Sequence, residues 1–596
     1  VLLTNSKVIG IGSPRACLQS NFALRKLVGD ENFSCGVSAR EKQLADLAVS
    51  LLREGPVPSC SLKEAEECDA VFILGEDLTN TAPMLALAVR QSVRQKPMED
   101  AAKISVPGWN DAATRVFVQD RKGPLFVATA GATKLDGIAA GVYRSAPQDI
   151  ARLGFAVAHA LDPAAPAVND LDSDEQARVT QIAEALLSAD SPLIISGTSC
   201  QSESVLKAAA QVALALHKKD RKVKMALTMA ECNTYGMALL GGAPLEEAFE
   251  KVLNGQAETV VVLENDLYRH APAGAVDSFL ARCRAIIVID HTLHATASKA
   301  QWLMPAGTFA ESDGIIVNNE GLAQRYYQVY ESPAAKESWR LLSALGTAAN
   351  MTVLSGWKNF DDVTKAMVSE VRSLAGIEKV SPSSQQRMAD GQRVPRQPHR
   401  YSGRTAMLAH RNVSEPRPPE DNDSAMSYTM EGTRAMPPSS MIPFFWSPGW
   451  NSVQSVNKYQ EEVGASLRGG DPGVMINGAV KGKPWPYYSD LPERFRPSAG
   501  RLWVVPVHHI FGSDELSARS APVASRMPQP YLLVNRSDAT ALKRAEGEEA
   551  EMEIAGAHLR LPVVLSDSLP QGVAALPFGL PQVPYTDIPA WCTIKR

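Results

Sequence analysis

A chain of 596 residues is several times longer than one hydrophobic core supports, so several lobes are expected. Its 45% hydrophobic and 21% charged residues are those of an ordinary globular protein, and a net charge of -5 leaves no basic footprint for nucleic acid. No run of about 18 apolar residues and no basic-then-apolar leader is found, and the eight cysteines form no C-x-x-C pair, which suits a reducing compartment; the expectation is a soluble, cytoplasmic protein.

The chain opens at Val1 without an initiator Met, which suggests a piece of a longer polypeptide. Val8-Ile9-Gly10-Ile11-Gly12 then reads as a strand followed by G-x-G, the start of a dinucleotide fingerprint. Arg15 stands where the third glycine would allow close helix packing, so the stretch is expected to be a structural strand and turn. Further β-branched runs follow at Ala70–Gly75, Pro192–Gly197, Thr259–Leu263 and Ala285–Asp290, separated by helix formers such as Ser204–His217. This alternation predicts βαβ units on parallel sheets up to about residue 375.

Three of these runs end in polar groups, Glu76-Asp77, Glu264-Asn265-Asp266 and Asp290-His291-Thr292. Ligand crevices of open α/β sheets lie at such carboxyl ends, although Asp and Asn there can equally cap the next helix. His291 and His294 form a loop pair after the strand ending at Asp290 with no evident further metal ligands, and His508-His509 point to opposite faces of a strand-like run. The stretch Pro305–Gly321 (PAGTFAESDGIIVNNEG) is crowded with glycines, amides and carboxylates, as ligand-holding loops are, but has no catalytic set beside it.

Residues 376–500 hold 15 of the 40 prolines, and Pro416–Ser424 can form neither helix nor central strand. The same region carries Phe444, Phe445, Trp446, Trp450, Trp485, Tyr487 and Tyr488, so an extended insert that buries its aromatics on other surfaces is expected. From about 501 onward, short apolar runs between Gly, Pro and Asp predict a small β-barrel. The acidic clusters Glu420-Asp421-x-Asp423 and Glu548-Glu549-x-Glu551-x-Glu553 read as solvated faces, with a hard cation as the other possibility.

In this order the motifs resemble the molybdopterin oxidoreductase superfamily, which includes formate dehydrogenase and nitrate reductase, over most of the chain. Asp69–Asp77 with Pro83 is similar to its strand–Gly–acidic loop, and Asp290–Pro305 (DHTLHATASKAQWLMP) to its D-x-F-x-T-E-T-A…A-D-x-x-L-P stretch. Glu311, Gly314, Asn318, Glu320, Gly321 and Gln324 match E-x-x-G-T-x-x-N-x-E-G-R-x-Q, and Val534–Ala539 with Glu546–Glu548 and Leu569–Gly572 resembles the C-terminal double-psi barrel. The resemblance implies molybdopterin-oxidoreductase-like α/β lobes with mostly parallel sheets. The first lobe is placed at 1–40 and 200–375, a second, Rossmann-like lobe at 41–199, the insert at 376–500 and a double-psi β-barrel-like domain at 501–596.

Ala295 replaces the superfamily's Glu, Gln301 its Asp, Ile315 its Thr and Leu322 its Arg, and no loop presents a Cys, selenocysteine or Ser to molybdenum. A polar pterin needs such groups to replace its lost water, so the six matching residues are expected to mark a vestigial pocket, with no catalytic or metal-binding residue. The branch with this fold and no molybdenum site is the large iron–sulfur subunit family of respiratory complex I, to which Asn21–Val28, the eroded motifs and the insert are similar. That branch implies a cofactor-free scaffold whose 4Fe–4S and 2Fe–2S clusters lie in polypeptide preceding this portion. The whole subunit would relay electrons from NADH through flavin to quinone, coupled to proton translocation. Partners would be peripheral-arm subunits reached by the insert, among them the flavin-bearing NADH-oxidising one, on the cytoplasmic face of the inner membrane. The alternatives are an active molybdopterin-dependent oxidoreductase and a free-standing nucleotide-binding protein.

Overall fold

A computed structural model describes residues 7–107, 110–351, 354, 356–380, 473–477 and 485–595. The chain divides into two compact units, one of Val1–Val93, Pro124–Glu378 and Met475–Arg596, the other of Arg94–Gly123 and Lys379–Val474. In the smaller unit the helices Gln95–Lys103 and Asp111–Val118 are described, with the Arg121 guanidinium 4.6 Å from the Phe117 ring. Phe444, Phe445, Trp446, Trp450, Pro416–Ser424 and the Glu420–Asp423 cluster lie outside the described residues.

Two five-stranded parallel sheets and a barrel make up the larger unit. The first sheet has the spatial order Trp302–Pro305, Ala285–Asp290, Thr259–Leu263, Val8–Ile11, Phe33–Ser34. The second runs Gly141–Arg144, Leu125–Thr129, Ala70–Leu74, Pro192–Gly197, Lys224–Thr228. Its last strand extends this lobe beyond residue 199, where the sequence places its end. Lys222-Val223-Lys224 is charged and short, so it announces no strand, yet the strand that starts at Lys224 pairs in register with Leu193 to Gly197.

The central strands are apolar on both faces because helices cover both. One face of the first sheet buries Ile9, Ile11, Val260 and Val262 with Phe249 and Phe279, whose rings stack at 4.4 Å. Each such fully buried side chain contributes about 1.5–3 kcal/mol. Strand order reverses between Val8–Ile11 and Thr259–Leu263 in the first sheet, and between Ala70–Leu74 and Pro192–Gly197 in the second. Each reversal opens a crevice at the carboxyl ends of its strands, the usual place for a ligand in such sheets.

Six strands close the barrel in the order Arg501–Val507, Val573–Pro577, Leu532–Asn535, Ala557–Ser566, Glu549–Ile554, Ala590–Ile594. Two neighbouring pairs are parallel and the other four antiparallel. Glu549, Glu551 and Glu553 alternate outward along their strand, while Ala550, Met552 and Ile554 fill the core, so this acidic cluster is a solvated face. Ahead of the barrel, Trp485–Pro497 runs without regular structure over the helices of the second sheet. Tyr487 Oη donates to Asp162 (2.6 Å) under the Lys218 ammonium, 3.9 Å from its ring. Arg494 meets Glu175 at 3.2 Å, and Phe495 stacks on Trp591 of the barrel. Among the described residues no helix is long and apolar enough to cross a membrane.

Candidate functional site

At the first reversal, the loop Gly12–Cys17 leaves strand Val8–Ile11 and enters the helix Leu18–Val28. Asn21, fully buried on that helix, accepts from Ser13 N (2.9 Å) and donates to the carbonyls of Ser13, Ala16 and Cys17. Across the crevice the Asn265 amide donates to the carbonyls of Gly12 (2.8 Å) and Gly36 (2.9 Å). A Cβ on Gly36, which has φ +79, would stand 1.9 Å from the Gly12 carbonyl oxygen. The chain's own amide and backbone therefore fill the place where a pyrophosphate would lie.

Arg15 and the strand-end residues make a buried charge cluster beside this plug. Arg15 Nη2 meets Asp290 at 2.8 Å, Nε donates to the Glu264 carbonyl (3.1 Å) and lies 3.5 Å from Glu515, and Nη1 faces His291 Nε2 at 3.2 Å. His294 sits between two carboxylates, Nε2 at 3.0 Å from Asp290 and Nδ1 at 3.5 Å from Asp266. Burial opposes the charge on His294, and the flanking carboxylates outweigh it, raising the ring to about 9. Burial likewise opposes the charge on Asp266, but His294 and Thr296 hold that carboxyl down at about 2. His291 is driven the other way, lowered by burial and by the Arg15 charge. The histidine pair is thus divided between an ion-pair network and a neutral ring, and among the described residues no group of three or more His, Cys, Asp or Glu is placed to hold a metal ion.

The second reversal is filled by Glu76. Its carboxyl accepts from Ser199 N (2.9 Å) and Thr81 Oγ1 (3.0 Å), and a Cβ on Gly197 would meet it at 2.5 Å. Burial pushes this carboxyl up to about 7.

The six residues matched to the pterin motif do not converge. Glu311 accepts from the backbone and hydroxyl of Thr308, both at 2.9 Å, closing its own turn. Gly314 opens the hairpin Gly314–Val317/Leu322–Tyr326 opposite Tyr326, whose ring would stand 2.1 Å from an added Cβ. At the hairpin tip the Asn318 side chain accepts from Glu320 N and Leu322 N, and Gly321 takes φ +81 against Asn477. Glu320 reaches the second lobe, its carboxylate accepting from Leu62 N (3.1 Å) and its carbonyl from Ser59 Oγ (2.9 Å). Gln324 is exposed. Ile315, in the place of the superfamily's Thr, is 2% exposed, and its N–H donates to Gln19.

Neighbours of those six residues line a cavity of about 310 Å³ at the mouth of the first crevice. Ser312, Asp313, Ile316 and Tyr326 form one wall, and Arg15, Cys17, Cys232, Glu264, Glu337 and Ser338 much of the rest. A pterin dinucleotide does not fit these residues. The volume is at the lower limit for a single drug-sized ligand, and the carboxyl groups of Glu264, Asp313 and Glu337 line it, which disfavours an anionic group. Of the two thiols lining it, Cys17 is buried, which raises it to about 11, and Cys232 is exposed. The strand-end residues of this cluster are legible in the sequence, but the plugging role of Asn265 and the parts taken by Asn21 and Glu515 are not. An amide inside the apolar helix Leu18–Val28 is the signal that could point to Asn21.

Two parallel sheets with self-filled crevices and a six-stranded barrel with two parallel strand pairs define a chain of the molybdopterin oxidoreductase fold class, and residues 174–348 match the family described as molybdopterin oxidoreductase. Within that class the chain is similar to the G subunit of NADH-quinone oxidoreductase. It is 45% identical over 592 residues to the G subunit of Salmonella typhimurium strain LT2, covering 98% of this chain and 65% of that one. Identity is 44% over 590 residues to the corresponding subunits of Pseudomonas fluorescens (98% and 65%) and Escherichia coli K12 (97% and 64%). The chain therefore spans just under two thirds of these curated relatives. Among solved structures, acetylene hydratase from Pelobacter acetylenicus superposes with a TM-score of 0.49 at 11% identity, covering 98% of this chain and 80% of that one.

Proposed function

We propose that this chain is the scaffold portion of the G subunit of an NADH-quinone oxidoreductase and carries no redox cofactor itself. The observation that carries the first half of the reading is 45% identity maintained over 98% of the chain. The second half is supported by the two crevices, one closed by Asn265 and Arg15, the other by Glu76. In this reading the iron–sulfur clusters belong to the third of the relatives that this chain does not span, since thiolate-ligated clusters require dense cysteine motifs. The whole subunit passes electrons from the flavin-bearing NADH-oxidising subunit towards quinone, and this portion holds it in the peripheral arm on the cytoplasmic face of the inner membrane.

The cluster around Arg15 gives the scaffold a rigid centre. Arg15 and His294 are both held by Asp290, and removing that shared partner strands the two cations, which costs roughly 3–5 kcal/mol. A tagged copy of the full subunit containing this chain, expressed in its host, is expected to co-purify stoichiometrically with the flavin-bearing subunit and NADH-oxidising activity. Recovery of the intact subunit without either would overturn the assignment. An active molybdopterin enzyme is the rival, but no observation of the cavity favours it.

A further inference from the structure

Glu264 ends the strand Thr259–Leu263 with φ +44, a left-handed conformation that a non-glycine residue adopts at a cost. Its carboxyl lines the 310 Å³ cavity and has one hydroxyl donor, Ser338 Oγ at 2.5 Å, on the first residue of the helix Ser338–Ala348. The nearest cation, Arg15, gives Glu264 only a bond to its carbonyl, and its charge is shared with Asp290 and Glu515.

The surroundings are short of positive charge. Arg15 and a charged His294 face Asp266, Asp290 and Glu515, two cations against three carboxylates. From the other elements around the cavity come Asp313, held by Arg325, and Glu337, held by Arg340. The remaining titratable neighbours are the exposed Cys232 together with Cys17, His291 and Tyr326, and burial works against the charged form of the last three. Ionising Glu264 therefore adds a further negative charge to a cluster already in deficit, whereas protonation leaves it neutral.

We propose that Glu264 is a reversible proton-binding site that exchanges with solvent through the 310 Å³ cavity. Protonated, it adds no further charge to the cluster; deprotonated, it presents a carboxylate to the cavity and tightens its bond to Ser338 at the helix start. The geometry is supported by the burial that pushes the carboxyl up to about 7. The site thus titrates where cellular pH varies, and it does so whether or not the chain works in an electron-transfer complex.

The test is infrared difference spectroscopy of the full chain between about pH 5 and 9, a range that brackets the raised carboxyl. A protonated-carboxyl stretch is expected to titrate near pH 7 and to vanish in Glu264→Gln, leaving the separate signal of Glu76. Ser338→Ala removes a bond to the charged form and is expected to move the midpoint up by about one unit. A Glu264→Gln spectrum identical to the wild type on the acid side of that midpoint overturns the proposal. Should Glu264→Gln not fold, Ser338→Ala decides alone: an upward midpoint shift supports the site and an unmoved one overturns it.

Discussion

Arg15 stands where a dinucleotide fingerprint has its third glycine, and the guanidinium it brings reaches an aspartate 275 residues further along the chain. That substitution is visible in the sequence; its meeting with Asp290, Glu515 and His291 is not, because it depends on which strands lie side by side. Asp290→Asn removes the partner of both Arg15 and His294 and is expected to cost roughly 3–5 kcal/mol in urea unfolding. The pH dependence has a definite sign. His294 stands at about 9 in the folded chain against 6.5 ordinarily, so its contribution is complete below 6.5 and is lost as pH rises through about 9. Asp266, lowered from 3.8 to about 2, contributes above 3.8 and loses its part as pH falls through about 2. Glu76, raised from 4.5 to about 7, behaves like a base in this respect: its contribution is present below 4.5 and lost as pH rises through about 7. Glu76→Gln is therefore expected to flatten the stability profile between those values by on the order of 3 kcal/mol, read as the difference from wild type in urea titrations at pH 4.5 and about 8. An unchanged slope would show that Glu76 is already ionised across that range.

At the scale of elements, the strands and the long helices are legible where their signals are local. Glu203–Lys218 follows from a run of strong helix formers, and Thr259–Leu263 from uninterrupted β-branched residues. Lys224–Thr228 and Ala590–Ile594 are not legible, since their pairing is supplied by neighbours far away in sequence. The loop Pro305–Gly321, read from the sequence as a vestigial pocket, comprises two structures, a turn closed by Glu311 and a hairpin whose tip docks on Ser59 and Leu62. Gly314→Ala drives a methyl into the Tyr326 ring and is expected to destabilise the chain by roughly 1–3 kcal/mol, with Tyr326→Ala in the same chain relieving part of the clash. Equal losses in single and double mutants would contradict that packing. In the segment Trp485–Pro497, at the end of the insert, Tyr487, Tyr488 and Arg494 bind the chain's own helices. Tyr487→Ala with Arg494→Ala is expected to free it, read as faster proteolysis between residues 485 and 497 while the sheets stay protected.

At the scale of the whole molecule, ancestry and present chemistry separate. The order of motifs from Asp69 to Gly572 carries the fold, and at the two strand-order reversals Asn265 and Glu76 hydrogen-bond the chain's own backbone. The central claim is that this fold works without its ancestral cofactor. It is tested most directly by quantifying molybdenum, tungsten and released pterin in the purified complex that contains the full subunit, with the chain itself as the stoichiometric reference. The account predicts all three at trace level beside a full complement of flavin and iron; one molybdenum or tungsten with its pterin per chain would contradict it.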